Sequence, residues 1–332
     1  MNCYITLDYE LAMGDYTGTP ERCLVEPMNH LTSMLDKYGI KLNIFVDAAY
    51  LLQMGKLKDK YPKLQKDYDL VTNHISRLDE EGHSIQLHLH PQWCYSSFDG
   101  GRWLLDKDHY KLQDMPLEEQ KSLIHNGIGL LNTISSRKVK AFRAGGYCLE
   151  NFSDLYDTFL SEGIIIDSSV VRGEHKEGKY HTYDYRGTPK KTPYRIYRDH
   201  KKEDLNGKML EYRLSTIELP AVLYLLNKIK KNKDLEAINA SKKIWGNGTG
   251  IGYPGSKLQI LLTKLSMLFG NRSICAYIEV GKDIEQVYNY SVKHFPNDDV
   301  VMIGHPKVLS PFSIAALELF INKHPEVNFK VF

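Results

Sequence analysis

The chain has 332 residues, 42% apolar and 25% charged, with 43 basic against 41 acidic side chains and a formal net charge of +2. That balance is the composition of a folded soluble protein, and it excludes both a disordered chain and the basic field that a nucleic-acid partner needs. The length admits two domains, but a single α/β barrel also reaches this size.

Five scattered cysteines (Cys3, Cys23, Cys94, Cys148 and Cys275) form no CxxC pair and are odd in number, which favours reduced thiols. With no basic or apolar leader pattern after Met1, the expectation is a cytoplasmic protein. No stretch reaches the roughly 20 apolar residues of a membrane span. The nearest, residues 258–269, is broken by polar side chains and reads as a buried or surface helix.

In chain order, residues 4–7 form a β-rich run that ends in polar side chains, the pattern of a buried strand feeding a functional loop. Val25, Met28, Leu31, Met34 and Leu35 recur at helical spacing, and residues 41–46 read as the next strand. A helix near 70–80 stops at Gly82, and the strand 84–90 is closed by Pro91. Helices at 117–131 and 152–162 alternate with strands at 138–142 and 164–166. The β-α-β rhythm predicts parallel strands with covering helices, in one α/β barrel spanning 1–332.

Residues 171–213 break the rhythm with a polar, tyrosine-rich excursion that reads as a lid over the barrel mouth, with Tyr180, Tyr183, Tyr185, Tyr194 and Tyr197 shaping the pocket. A strand at 216–220 leads into a helical and loop insertion at about 221–272. Its basic run, Lys228, Lys230, Lys231 and Lys233, reads as a solvated helix end, with weak contact to an anionic membrane surface as the alternative. The glycine-rich stretch 246–252 lacks a phosphate loop's Lys-Ser/Thr ending and reads as an ordinary flexible loop. A helix at 284–294, a strand at 300–303, a helix at 314–322 and a last strand at 328–332 complete the chain.

Two pairs have the i, i+2 spacing that puts side chains on one face of a strand: Asp8 with Glu10, and His88 with His90. At the C-terminal ends of barrel strands they would meet, and mixed oxygen and nitrogen donors suit Zn²⁺ with one open position. Each element has a plainer reading too. Asp8 and Glu10 would serve as a cap or turn pair, Arg143 as a surface salt-bridge residue, and His305 as a satisfied core histidine. Four strand ends each carrying such a group make metal-assisted hydrolysis the more economical reading.

The segments Thr6-Leu7-Asp8-Tyr9-Glu10, Gly82 to Pro91, Phe142-Arg143-Ala144-Gly145-Gly146-Tyr147, Ile166-Asp167-Ser168-Ser169 and Ile303-Gly304-His305-Pro306 resemble, in order, the five motifs of the polysaccharide deacetylases, carbohydrate esterase family 4. The closest branch is the one with a His-x-His-Pro motif found in bacterial surface-polysaccharide and O-antigen loci. The resemblance implies a distorted (β/α) barrel that hydrolyses N-acetyl groups of an acetamido sugar, free or carrier-linked. It also implies one divalent metal, Zn²⁺ first, with Co²⁺, Ni²⁺ or Mn²⁺ as substitutes.

By the same resemblance Asp8 is the catalytic base, and Glu10, His88 and His90 bind the metal. Arg143 tunes the base, His305 is the general acid, and Asp167 supports His305. The chain departs from the family in spacing its carboxylates, in shortening His-x-x-x-His to His-x-His, and in placing Gly145 where a proline is usual. Whether Asp8 or Glu10 holds the metal therefore stays open, with His83 as a substitute ligand. Trp93 and Tyr95 are candidate sugar platforms, and the turn Gly145-Gly146-Tyr147 is expected to offer a backbone N–H to the oxyanion. A non-sugar amidohydrolase, and a metal-free protein that binds a glycan or a partner, are the competing classes.

Overall fold

The computed structural model describes residues 1–226, 244–251 and 270–332. Along the first strand, Asn2–Tyr9, side chains alternate: Cys3, Ile5, Leu7 and Tyr9 pack under the covering helices, while Tyr4, Thr6 and Asp8 point into the barrel. Ser84–Leu89 repeats the pattern, with Ile85, Leu87 and Leu89 outward and Gln86 and His88 inward. Both strands are buried on both faces, as a helix-covered parallel sheet requires.

The main sheet runs in the order Tyr194–Ile196, Met209–Glu211, Ile166–Asp167, Ala141–Ala144, Ser84–Leu89, Asn43–Asp47, Asn2–Tyr9 and Val300–Gly304, with Asn328–Phe329 also paired to Asn2–Tyr9. Only the Tyr194–Ile196 pairing is antiparallel. Beyond Met209–Glu211 the sheet curls back on itself. Ser215 N donates to Val301 O and Val301 N to Ser215 Oγ, each at 3.0 Å, and Ala276 bridges Ser215 to Ile303. Across the interior the Tyr4 and Tyr212 rings lie 5.2 Å apart. The result is a distorted (β/α) barrel.

The excursion at 171–213 differs from expectation. It supplies a barrel strand, Met209–Glu211, its antiparallel neighbour, and a hairpin of His175–Glu177 with Thr182–Asp184. Tyr180, Tyr183, Tyr185 and Tyr194 are buried, and only Tyr197 is exposed. The strand Asn271–Cys275, paired with Thr216–Pro220, and the helix Ala48–Leu57 are further elements that the sequence pattern did not reveal. The basic run 228–233 and the apolar stretch 258–269 lie outside the described residues. Among the described residues no helix is long and apolar enough to cross a membrane.

Candidate active site

The parallel register brings the C-terminal ends of the strands together: Asp47 lies beside His88, His88 beside Arg143, and Phe142 beside Asp167. Just past the first strand, Glu10 Oε2 sits 3.2 Å from His88 Nε2 and 2.5 Å from His90 Nε2. All three residues are buried. Their donor atoms lie within 4.8 Å of one another, a spacing that could hold a metal ion.

The donor chemistry fits a divalent cation. His88 Nδ1 faces the Arg143 carbonyl oxygen at 2.8 Å, so it carries the proton and turns Nε2 toward Glu10. Two ring nitrogens on one carboxylate oxygen need positive charge among them, from protons or from a metal. Burial alone would lower the His88 pKa, but Asp8 and Glu10 overcome it and lift it to about 9. Lys307 Nζ binds the other oxygen, Glu10 Oε1, at 2.6 Å and the Leu11 carbonyl at 3.0 Å. Burial would raise the Glu10 carboxyl, yet Lys307, His90 and the imidazole hydrogen bonds hold it well below the usual range. Glu10, rather than Asp8, is therefore the carboxylate that meets both imidazoles.

Asp8 has a different partner. Arg143, fully buried, donates to Asp8 Oδ1 at 2.6 Å, to Thr6 Oγ1 at 2.9 Å, and to Ser168 O and Oγ at 2.8 and 2.9 Å, and its guanidinium covers the Phe45 ring. Burial pushes the Asp8 carboxyl up, but Arg143, with His88 and His305, brings it below its ordinary value. His305 Nε2 stands 3.6 Å from Asp8 Oδ2 and 4.0 Å from Glu10 Oε1. Its Nδ1 lies 2.9 Å from Glu279 Oε1, which also accepts the His305 backbone N–H at 2.7 Å. Burial opposes a charged His305; the Glu279 hydrogen bond and charge outweigh it and raise the pKa.

Asp8, Glu10, His90, His305 and Lys307 face one cavity of about 280 Å³, with Gly146 and Tyr147 on its wall. Gly146 and Tyr147 both adopt positive φ, at 58° and 63°. A side chain on Gly145 would come within 2.5 Å of Leu89 O and 2.8 Å of His90 Nδ1, so only glycine lets this turn close on the ligand strand.

Three expectations need correction. Glu279, not Asp167, is the acid on His305; Asp167 is a barrel-interior residue paired with Glu211 and bonded to Ser169 Oγ at 2.6 Å. Trp93 is no sugar platform, because the turn after Pro91 drives its ring into the core, where Nε1 donates to Asp47 Oδ2 at 2.8 Å. Tyr95 stacks on His109 and bonds Glu119, and it does not line the cavity. His83 lies at the far end of its strand, accepting Leu42 N at 3.0 Å. Glu279, Lys307, Tyr110, His181 and Tyr277 were missed as site residues. Only Lys307, two positions past His305, carried a usable spacing signal.

Asp167 and Glu211 form a buried pair, and among the described residues no cation is bonded directly to either. Burial raises both, Asp167 to about 6 and Glu211 well above the ordinary glutamate value. A carboxyl raised in the folded state holds its proton longer than in the unfolded chain, so stability from this pair is full at acid pH. It is lost as pH rises from about 4 through about 6 and above. The variant Glu211→Gln keeps the hydrogen bond and removes the charge. Thermal unfolding across pH 4–8 is expected to show a flatter profile for it, with a gain on the order of 2–3 kcal/mol over the native chain at pH 8.

No protein-family model matches the chain, and no curated protein matches it. Solved structures do. The Puue allantoinase superposes with a TM-score of 0.51 at 11% identity, over 99% of this chain and 86% of its own. A Mycobacterium smegmatis protein provisionally described as a polysaccharide deacetylase gives 0.46 at 13% identity, over 97% and 83%. A peptidoglycan N-acetylglucosamine deacetylase gives 0.30 at 17% identity, over 50% and 56%. At 11% identity what the chain shares with the allantoinase is the fold alone.

Proposed function

We propose that the protein is a divalent-metal-dependent hydrolase that removes an N-acetyl group from an amino sugar, acting in the cytoplasm on a precursor of a bacterial surface glycan such as O-antigen or capsule. The observation that carries this reading is the meeting of the Glu10, His88 and His90 donor atoms beside a cavity lined by Asp8, Glu10, His90 and His305, with the Asp8 pKa held low and the His305 pKa raised. The five motifs in barrel order support the carbohydrate part.

Glu10, His88 and His90 would hold the cation. When bound, it supplies Lewis acidity, making water a better nucleophile and polarising an amide carbonyl. Asp8, kept ionised by Arg143, accepts the proton that water loses as it attacks the acyl carbon. The turn at Gly145, Gly146 and Tyr147 brings backbone close to the acyl oxygen, where developing negative charge needs donors. His305, kept protonated by Glu279, gives its proton to the sugar nitrogen as the C–N bond breaks. The products are acetate and the free amine.

One observation favours a second reading. With Trp93 in the core, the ring that sequence offered as a sugar platform is absent from the cavity, which suits a compact non-sugar amide. Acetate release from an acetamido sugar and from acetamide, measured on zinc-loaded protein, separates the two. The sugar is expected to be preferred by about tenfold or more in kcat/KM; equal rates would assign the site to small amides.

A further inference from the structure

We propose that the glycine-rich segment 246–251, with the loop Ala12 to Gly18, is a fixed wall that restricts the site to a single acetamido-sugar unit; this rests on the deacetylase reading above. The segment is held in place rather than free. Gly14 N donates to Thr249 O at 2.9 Å, Thr249 N to Tyr16 O at 2.7 Å, Tyr16 N to Thr249 Oγ1 at 3.0 Å and Thr19 N to Asn247 Oδ1 at 3.0 Å. Just before it, Trp245 stacks on His30 with ring centroids 4.5 Å apart and donates its backbone N–H to Leu309 O at 3.2 Å.

Glycine is what permits this proximity. A β-carbon at Gly246 would fall inside contact distance of the Lys307 backbone, and one at Gly248 would collide with Ala12. The segment therefore seats against both the residue that binds Glu10 Oε1 and the loop that follows Glu10. Gly248, Gly250 and Ile251 line the same cavity as Asp8, Glu10 and His305. At about 280 Å³ the space, half open to solvent, lies at the small end of ligand pockets, which run from about 300 to 1,000 Å³. Tyr110 and His181 stand on the same cavity wall. Such a space takes one sugar ring with its acetamido group and blocks the interior of a polymer.

Gly250 gives the test. A β-carbon there meets no atom of the described residues within 4 Å, so Gly250→Leu places bulk at the cavity wall, and thermal unfolding reports any cost to the fold. Acetate release is measured from the monomer, dimer and tetramer of N-acetylglucosamine with zinc-loaded native protein and the variant, with zinc content and thermal unfolding as controls. The expected result is native turnover on the monomer at least equal to that on the tetramer. Gly250→Leu should lower monomer kcat/KM by about tenfold, chiefly through KM, with zinc content unchanged. Native turnover that climbs with chain length, or a Gly250→Leu variant equal to native, overturns the wall while leaving the deacetylase reading intact. Absence of turnover at every length with zinc bound overturns that reading, and the wall with it.

Discussion

Replacing His305 by alanine is expected to lower kcat by about 10²–10⁴ while the protein stays folded and keeps its zinc. The imidazole touches none of the three donor atoms closely, at 4.0 Å from Glu10 Oε1, but it faces Asp8 and the cavity. In the proposed mechanism it supplies a proton to the departing nitrogen, without which an amide C–N bond breaks slowly. Glu279 gives the same claim a second readout. Since the Glu279 hydrogen bond is the largest influence raising the His305 pKa, Glu279→Gln lowers that pKa. The alkaline limb of the kcat profile then moves to lower pH, with activity retained at acid pH. Alanine at 305 with native kcat would remove this residue from the chemistry.

Arg143→Met is the substitution expected to harm the fold most. It leaves Asp8 buried without the cation that offsets its desolvation, and it strands Thr6 and Ser168 acceptors in the barrel interior. Breaking a buried pair from one side costs about 3–5 kcal/mol. The sign of the catalytic effect follows from the pKa of Asp8. Arg143 is the leading influence that lowers it against burial, so its loss lets the carboxyl rise. The acid limb of the kcat/KM profile then shifts upward, and activity at neutral pH falls. Denaturant unfolding measures the first effect and a pH–rate profile the second; an unshifted acid limb would mean that Arg143 serves structure alone.

The site was legible where a side chain sits at the end of a long, apolar strand. Asp8, His88 and His305 are of this kind, and Arg143 follows the same parity on the short strand Ala141–Ala144, because strand parity fixes their direction and the parallel register fixes their neighbours. Glu279 was not legible, since it follows a strand, Asn271–Cys275, that pairs with the sequence-distant Thr216–Pro220 and shows no alternation of its own. Met209–Glu211 and Ile166–Asp167 are too short to show a period, so the barrel's closing side was read as a lid. Trp93 defies its sequence position because following a ligand strand directly suggests a rim, whereas Pro91 turns the chain inward and Asp47 captures the indole. The glycine-rich segment was read as mobile from composition; its hydrogen bonds to residues 14–19 exist only in the folded chain.

The proposed mechanism turns on a metal centre at Glu10, His88 and His90. Calorimetric titration of chelator-stripped protein with Zn²⁺, native against His88→Ala, tests it most directly. One zinc per native chain is expected, with affinity falling below about pH 9 as protons compete for His88. Loss of that binding is expected in the variant, with the fold retained. Native protein that takes up no zinc, or a His88→Ala variant that binds it as well as native, would contradict a metal centre there.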